Sequence, residues 1–272
     1  MSTEPAAGRL VAEDVSLRYG ERAIATDLSV AVPDGSFTVI VGPNACGKST
    51  LLRAFARLLK PAAGRVLLDG ERISALPSKE LARRLGLLPQ SSNAPDGITV
   101  ADLVARGRYP HQGLFRQWSG EDERVVAESM AATNVEELAD RYVDELSGGQ
   151  RQRVWLAMAI AQQTSLLLLD EPTTFLDIAH QVEVLDLCAR LHREQGRTLV
   201  AVLHDLNQAA RYATHLIAMR DGAVVAEGPP SEIVTADLVE RVFDLPCQVI
   251  EDPQTGTPLV VPMAPGHAGA RR

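Results

Sequence analysis

Hydrophobic and polar residues alternate along the first part of the chain and then change period. From Leu10 to Val32 apolar positions recur at every second residue on both sides of a turn at Gly20-Glu21, which predicts two antiparallel strands with one buried face. Ser36–Val41 is a short β-rich run, and Ser49–Leu59 has helical spacing. The pattern therefore predicts a strand, a glycine-bearing loop and a helix in succession, with the helix ending before Pro61.

Later strands are continuous apolar runs. Leu166–Asp170 and Thr198–Leu203 have the length and composition of buried strands, and helical stretches follow them near residues 178–195 and 206–214. Continuous apolar strands separated by helices are typical of a parallel sheet that is covered on both faces. Residues from roughly 91 to 163 are mostly helical in pattern and interrupt this α/β arrangement.

The order of these elements predicts one α/β domain over residues 8–250. We expect a mainly parallel sheet, an N-terminal antiparallel β subdomain and an inserted α-helical subdomain at roughly 91–163. The remaining residues, 251–272, are rich in proline, glycine and alanine. We expect this C-terminal tail to be partly disordered, over its last ten residues at least.

Composition and charge narrow the class of protein. The 272 residues are 46% hydrophobic and 23% charged, as in ordinary globular proteins, and the net charge of −8 counts against nucleic acid as a partner. Cys46, Cys188 and Cys247 are too few and too scattered for a disulfide scaffold or a zinc site. No apolar run approaches the ~18–20 residues of a membrane span, and the first residues lack the apolar core of a signal peptide. We therefore expect a protein that is neither secreted nor itself membrane-spanning.

The loop after the Ser36–Val41 strand reads GPNACGKST, which fits G-x-x-x-x-G-K-[S/T] between a strand and a helix, the context that this P-loop NTPase motif requires. Backbone N–H groups and the helix N-terminus would form an anion site, Lys48 would face the β- and γ-phosphates, and Ser49 is a suitable Mg²⁺ ligand. The alternative is a glycine-rich turn with a surface lysine. The predicted nucleotide-binding residues are Gly42, Pro43, Asn44, Ala45, Cys46, Gly47, Lys48, Ser49 and Thr50.

Two acids, Asp170 and Glu171, end a buried strand. The carboxyl end of a parallel strand lies where α/β sheets bind ligands. We therefore expect Asp170 to hold Mg²⁺ through water and Glu171 to polarise the water that attacks the γ-phosphate. The alternative is a pair of N-cap residues for the following helix.

A second phosphate-binding helix end is predicted at Ser147, Gly148, Gly149 and Gln150, before an amphipathic helix. One domain does not need two such ends for one γ-phosphate. We infer that this second helix N-terminus binds the nucleotide held by another copy of the chain. Two copies would then form a homodimer that closes on two ATP molecules.

With these motifs in this order, the chain resembles the ATP-binding subunits of ABC transporters from about Leu10 to Ile250. The resemblance implies that Tyr19 stacks on adenine and that Gln90 links the γ-phosphate and Mg²⁺ to the helical insert. It further implies that the loop Phe175-Leu176-Asp177 crosses the dimer interface and that His204 contacts the γ-phosphate. Considered alone, Tyr19 could be a half-buried strand residue, Gln90 a loop residue, and His204 an N-cap or a core histidine.

The phosphate loop departs from the family pattern at Ala45, where glycine is common. A positive φ would cost alanine about 1 kcal/mol, so we expect a right-handed conformation there. Cys46 lies near a helix N-terminus, where the pKa of a thiol tends to fall. We therefore expect alkylation of this thiol to block ATP binding, and prior ATP to protect it.

Three stretches resemble the ATPases of importers for ferric siderophores and, more distantly, for haem and cobalamin: residues 81–90, 104–111 and 203–212. The resemblance implies an ATPase that uses ATP and Mg²⁺ at the cytoplasmic face of the cell membrane. Its partners would be transmembrane permease subunits and, indirectly, an exported solute-binding protein. We expect the permease to contact Arg106–His111, chiefly through Arg108 and Tyr109.

Two other classes of function remain open. One is a soluble ABC ATPase that acts on nucleic acid or ribosomes, which the acidic charge balance disfavours. The other is a regulatory module that holds ATP without turnover, which the presence of Glu171 and His204 disfavours.

Overall fold

The computed structural model of the protein describes residues 8–90, 94–113 and 118–263. It divides into two compact units. The first unit comprises the chain up to Arg72 together with the chain from Val202 onward, and the second comprises Ile73–Ala201.

The described residues form strands, α-helices and short 3-10 helices. The strands are β1 (Leu10–Tyr19), β2 (Arg22–Val32), β3 (Phe37–Val41), β4 (Ala63–Leu68), β5 (Glu71–Arg72), β6 (Leu85–Leu88), β7 (Leu166–Asp170), β8 (Thr198–Val202), β9 (His215–Arg220), β10 (Ala223–Gly228), β11 (Cys247–Glu251) and β12 (Pro258–Pro262). The α-helices are α1 (Lys48–Phe55), α2 (Ser78–Arg84), α3 (Val100–Ala105), α4 (Gly120–Ala132), α5 (Gly148–Ala161), α6 (Ile178–Gln195), α7 (Leu206–Tyr212), α8 (Pro230–Ile233) and α9 (Ala236–Phe243). The 3-10 helices are Arg106–His111, Glu136–Leu138 and Val143–Glu145.

Strand pairing confirms the predicted α/β class. In the first unit β1 pairs antiparallel with β2 and β4, and β4 with β5, which makes the N-terminal antiparallel sheet. Also in the first unit, β3 pairs in parallel with β9, and β10 pairs antiparallel with β9. In the second unit β6 pairs in parallel with β7. All five residues of β3, β7 and β8 are buried, as their continuous apolar runs predict.

The helix after the phosphate loop ends earlier than the sequence predicts. α1 ends at Phe55 because Arg57 is left-handed, with φ 59°. The N–H of Arg57 donates to the carbonyl of Ala54 at 3.1 Å, and the N–H of Leu58 donates to that of Arg53 at 2.8 Å. These two bonds form a Schellman motif, which closes the helix before the proline that the sequence suggested as its end.

The helical insert has a hydrophobic core of its own inside the second unit. Side chains from α3, α4 and α5 form it together with residues of the connections, including Val100, Leu103, Val125 and Val154. Each of the three helices contributes three buried apolar residues to this core, at the spacing of a helix face. The structure thus confirms an inserted helical subdomain.

A buried ion pair links three parts of this helical cluster and corrects one expectation. Arg108 and Asp122 are each 3% exposed, and the Nε of Arg108 donates to Oδ1 of Asp122 at 2.8 Å. The guanidinium also donates to the carbonyl of Ala161 and to Oε1 of Gln163, both at 2.8 Å. Burial alone would raise the pKa of Asp122, but hydrogen bonds from Ser119 and Arg108 lower it below its ordinary value. Arg108 is therefore an internal residue, and the expectation that it contacts a permease is wrong.

The C-terminal residues are more ordered in part than their composition suggests. β11 and β12 pair antiparallel, and the predicted domain limit at residue 250 falls inside β11. Residues 264–272, where disorder is predicted, lie outside the described residues. Among the residues that the structure describes, no helix is both long and apolar enough to cross a membrane.

Candidate functional site

The phosphate loop runs from the end of β3 to the start of α1 and requires glycine at two positions. A Cβ on Gly42, which has φ 153°, would lie 2.1 Å from the carbonyl oxygen of Met219 on β9. Gly47 has φ 108° and is the N-cap residue of α1. Only glycine combines this close approach with these dihedral angles. The two glycines therefore let the loop turn tightly at the end of a buried strand.

Ala45 is left-handed, with φ 62°, so the expectation of a right-handed residue is wrong. The conformation costs alanine about 1 kcal/mol relative to a right-handed one. Ala45 and Gly47 together place left-handed residues two apart, a geometry that gathers successive backbone N–H groups into an anion-binding concavity. The loop keeps the form that a phosphate site needs in spite of the missing glycine.

Lys48 supplies a fixed cation at this loop. It is 5% exposed, and its Nζ donates to the carbonyls of Gly42 and Pro43, both at 2.8 Å. The neighbouring Ser49 is half-buried on the first turn of α1, where N–H groups have no partner within the helix. A buried ammonium group beside a helix N-terminus fits a phosphate group.

Cys46 is not the reactive thiol that the sequence suggests. It is 5% exposed, and its Sγ lies 2.9 Å from the position that a Cβ on Gly42 would occupy. Burial raises the pKa of the thiol and outweighs the nearby Lys48, which lowers it. The expected low pKa is wrong because burial of the side chain outweighs Lys48 and the backbone N–H groups of Cys46 and Lys48, which act in the expected direction.

Tyr19 and His204 also belong to the first unit. Tyr19 ends β1 with 44% of its surface exposed, and its hydroxyl accepts a hydrogen bond from Arg53 of α1 at 3.2 Å. Tyr19 is a strand residue with nearly half of its surface exposed, so its ring is available for stacking.

His204 follows β8 and is exposed. The N–H of the preceding residue, Leu203, donates to the carbonyl of Ile40 at 3.3 Å, so His204 lies level with the end of β3, where the phosphate loop begins. The N-cap of α7 is Asp205, whose carboxylate accepts from the N–H groups of Asn207 and Gln208 at 2.8 and 3.0 Å. His204 is therefore neither an N-cap nor a core histidine.

The two acids of the second unit are buried at the end of β7. Asp170 is 2% exposed and Glu171 is 8% exposed. The N-cap of α6 is Asp177, so neither acid caps the next helix. Parallel pairing of β6 with β7 aligns Leu88 with Leu169, so Gln90, which is exposed, leaves the same edge as the two acids.

Glu171 sits in a strained and well-supported turn. Its φ is 54°, a left-handed value that is uncommon outside glycine. The hydroxyl of Thr174 donates to Oε2 of Glu171 at 3.1 Å, and Nε2 of Gln152 donates to the carbonyl of Pro172 at 3.3 Å. Sequence reasoning missed Thr174 and Gln152; a hydroxyl three residues after the acid was the available signal for the first of them.

The signature Ser147–Gln150 forms a capping box at the start of α5. The N–H of Gln150 donates to Oγ of Ser147 at 3.3 Å, and the N–H of Ser147 donates to Oε1 of Gln150 at 3.1 Å. A Cβ on Gly149 would lie 3.1 Å from Cδ2 of Leu176, so the signature helix and the loop that ends at Asp177 lie against each other. The structure brings these predicted residues together within one unit.

Asp177 has a structural role that the sequence did not indicate. Its carboxylate accepts from the backbone N–H of His180 at 2.9 Å and lies 2.7 Å from Nδ1 of the same residue. These contacts, the backbone bond foremost, lower the pKa of the Asp177 carboxyl. Asp177 thus fixes the start of α6, and the exposed Phe175 precedes it with φ 67°.

Within the described ranges, no group of three or more histidine, cysteine, aspartate or glutamate residues could hold a metal ion. A magnesium ion bound with one or two protein oxygens and completed by phosphate oxygens and water is compatible with this arrangement.

Comparisons with known proteins agree with these motifs. The ABC transporter family model matches residues 25–174. The ferric enterobactin transport ATP-binding protein of Escherichia coli is 60% identical over 94% of this chain and 94% of its own length. The iron(3+)-hydroxamate import ATP-binding protein of Bacillus subtilis is 46% identical over 92% of this chain and 93% of its own length.

A solved structure shows the same fold. The dimeric form of a bacterial ABC transporter cassette superimposes with a TM-score of 0.74 at 30% sequence identity, and the match covers 81% of this chain and 98% of that one. The chain therefore belongs to the ABC transporter family, as one of its ATP-binding subunits.

Proposed function

We propose that this chain is the ATPase of an importer for ferric siderophores and drives uptake through a membrane permease. The assignment of ferric siderophores as the cargo is supported by the 60% identity, over nearly the whole chain, to the ferric enterobactin transport ATP-binding protein of Escherichia coli. The assignment of ATPase activity is supported by the motifs described above. The chain would act at the cytoplasmic face of the membrane, where ATP is available, and an exported solute-binding protein would deliver cargo to the permease.

We assign the phosphate-binding roles to the first unit. The phosphate loop, residues 42–50, holds ATP, with Lys48 neutralising the β- and γ-phosphates. Tyr19 stacks on the adenine, and His204 contacts the γ-phosphate. The shape of the loop and the buried ammonium of Lys48 support these roles.

We assign the proton-transfer role to Glu171. Its carboxylate accepts a proton from the attacking water, and the bond from Thr174 holds one carboxylate oxygen in place so that the other can face that water. Ser49, Gln90 and, through water, Asp170 would hold the magnesium ion, which supplies neutralisation of the phosphate charge during transfer.

We propose that the active form is a dimer in which Ser147–Gln150 of one copy faces the ATP of the other. Apolar side chains beside the signature support this: Phe175 is 77% exposed and Ile178 is 79% exposed. Large apolar side chains with such exposure are typical of a surface that becomes covered. The related cassette that forms a dimer supports the same arrangement.

The second unit carries a groove that suits the permease. It has a volume of about 760 Å³ and lies beside the 3-10 helix Arg106–His111. Tyr109 and Trp118, which are 59% and 48% exposed, lie on its wall. Asp96, Asp102 and Glu123 outnumber Arg106, the one basic residue among the described residues that line the groove, so this lining has a net negative charge. Exposed aromatic side chains with an acidic rim fit a helical permease segment that carries apolar and basic residues.

Substitution of Tyr109 by alanine should weaken assembly with the permease by about thirtyfold or more, as loss of a central aromatic anchor does. ATP affinity of the purified chain should not change. Co-purification of the two subunits and nucleotide titration measure these effects. Tyr142→Ala is the matched control, because Tyr142 is 49% exposed and does not line the groove. Lost ATP affinity with normal assembly would contradict the assignment.

Arg108 provides the contrast to Tyr109. Arg108→Ala leaves Asp122 buried without its cation, so we expect a loss of about 3–5 kcal/mol in the free energy of unfolding. The same change in Tyr109 should leave the unfolding transition nearly in place, which separates a docking residue from a structural one.

Deletion of the gene should abolish growth on a ferric siderophore as the sole iron source. Wild-type protein supplied on a plasmid should restore growth, and a variant that binds ATP without hydrolysing it should not, because transport needs turnover. Uptake of labelled ferric siderophore gives the direct measurement. Intact ferric siderophore uptake with loss of haem or cobalamin uptake would overturn the cargo assignment and leave the ATPase assignment standing.

A further inference from the structure

Asn207 of α7 forms two hydrogen bonds with the C-terminal hairpin. Nδ2 of Asn207 donates to the carbonyl of Val260 at 3.1 Å, and the N–H of Val260 donates to Oδ1 of Asn207 at 2.7 Å. Val260 is the central residue of β12 and is 6% exposed. The amide of Asn207 thus pairs with the edge of β12 as a neighbouring strand would.

The same asparagine belongs to the turn that carries His204. Its N–H is one of the two that Asp205 caps, at 2.8 Å. On the other side of His204, the N–H of Leu203 is bonded to the carbonyl of Ile40 on β3. The backbone around His204 is therefore fixed at β3, at the helix cap and, through Asn207, at the hairpin.

These attachments hold the N-terminal end of α7, whereas burial of Ala209 and Ala210 holds its middle. α7 has only seven residues, and a helix of that length is unstable without tertiary contacts. His204 itself is exposed, and the backbone on either side of it is fixed by the bonds described above. Displacement of α7 would move His204 away from the end of the phosphate loop.

We propose that Asn207, held by the β11–β12 hairpin, is a positioning residue for His204 in ATP hydrolysis. The proposal rests on the proposed contact of His204 with the γ-phosphate. Asn207 holds the first turn of α7 against the hairpin and hence affects where the imidazole of His204 lies. The hairpin then contributes to turnover although it lies outside every nucleotide-binding motif.

The test uses the full-length protein in its permease complex and measures kcat and KM for ATP with Mg²⁺. Asn207→Leu keeps the branch at Cγ and removes both bonds to Val260. We expect kcat to fall about tenfold or more, as misplacement of a catalytic group does, while KM for ATP stays within about twofold because the phosphate loop is untouched. Gln254→Leu, an exposed amide on the same hairpin, is the matched control and should behave as wild type.

A double-mutant cycle with His204→Ala separates positioning from general stability. If Asn207 acts through His204, the double variant has the kcat of His204→Ala alone. If the fold-decreases in kcat of the two single variants multiply in the double variant, the proposal is wrong. It is also wrong if Asn207→Leu has a normal kcat while His204→Ala has a low one. Unchanged kcat in His204→Ala would instead remove the proposed role of His204, on which the inference rests.

Asn207→Asp keeps the inference testable if the leucine variant does not fold. It retains the oxygen that accepts from the N–H of Val260 and replaces the donor to the Val260 carbonyl by a carboxylate oxygen. Its kcat should lie between those of wild type and His204→Ala. A value equal to wild type, with the melting temperature lowered, would show a purely structural asparagine and overturn the proposal.

Discussion

Replacement of Glu171 by glutamine is expected to lower steady-state ATP hydrolysis by about 10²–10⁴-fold, the usual contribution of a general base. The amide has the same shape and can still accept the hydrogen bond from Thr174, so the turn at φ 54° should persist. It cannot accept the proton of the attacking water. ATP affinity should therefore stay unchanged, and a nucleotide-bound dimer should accumulate.

Phosphate release in the permease complex measures turnover, and size-exclusion chromatography with ATP measures the dimer. Glu194→Gln, at an exposed position of α6, is the matched control and should hydrolyse ATP at the wild-type rate. Turnover of Glu171→Gln at the wild-type rate would show that another group accepts the proton.

Replacement of Lys48 by alanine is expected to weaken ATP binding by at least about a hundredfold, since loss of a buried charge-assisted contact with phosphate removes roughly 3 kcal/mol. The change removes the ammonium that is fixed by the carbonyls of Gly42 and Pro43. Lys48 is 5% exposed, so solvent screens its charge poorly and its loss is felt fully.

Equilibrium titration with a fluorescent ATP analogue measures the affinity of the Lys48 variant. Lys60→Ala, an exposed lysine beyond the end of α1, is the control and should bind as wild type does. An unchanged dissociation constant in Lys48→Ala, with the protein folded, would remove the phosphate loop as the ATP site.

Most helices and strands could be predicted from the sequence because apolar spacing and turn residues within each segment determine them. The helical stretch predicted near residues 178–195 matches α6 because its helical pattern is local to the segment. The turn at Asp69-Gly70 is a known signal for a tight hairpin, and both residues have positive φ, at 50° and 81°. The end of α1 was missed because a left-handed arginine, unlike glycine, is not a recognised stop signal.

Two site residues were misplaced for a different reason, which is that the folded chain buries them. Arg108 looked like a surface residue in a polar stretch, and its partner Asp122 is 14 positions away. Cys46 looked exposed at a helix N-terminus, but the fold of the loop covers it. The charge and spacing of a residue indicate which chemistry it can perform, whereas its accessibility depends on contacts that no short motif contains.

Burial of Cys46 has a consequence for the behaviour of the protein under oxidative conditions. Peroxides attack the thiolate form of cysteine, and a thiol with a raised pKa is almost wholly protonated at neutral pH. The sulfur in the phosphate loop therefore resists conversion to a sulfenic acid, whose added oxygen would have to fit beside Gly42. The fold shields the loop from oxidation at the position where the sequence suggests the greatest vulnerability.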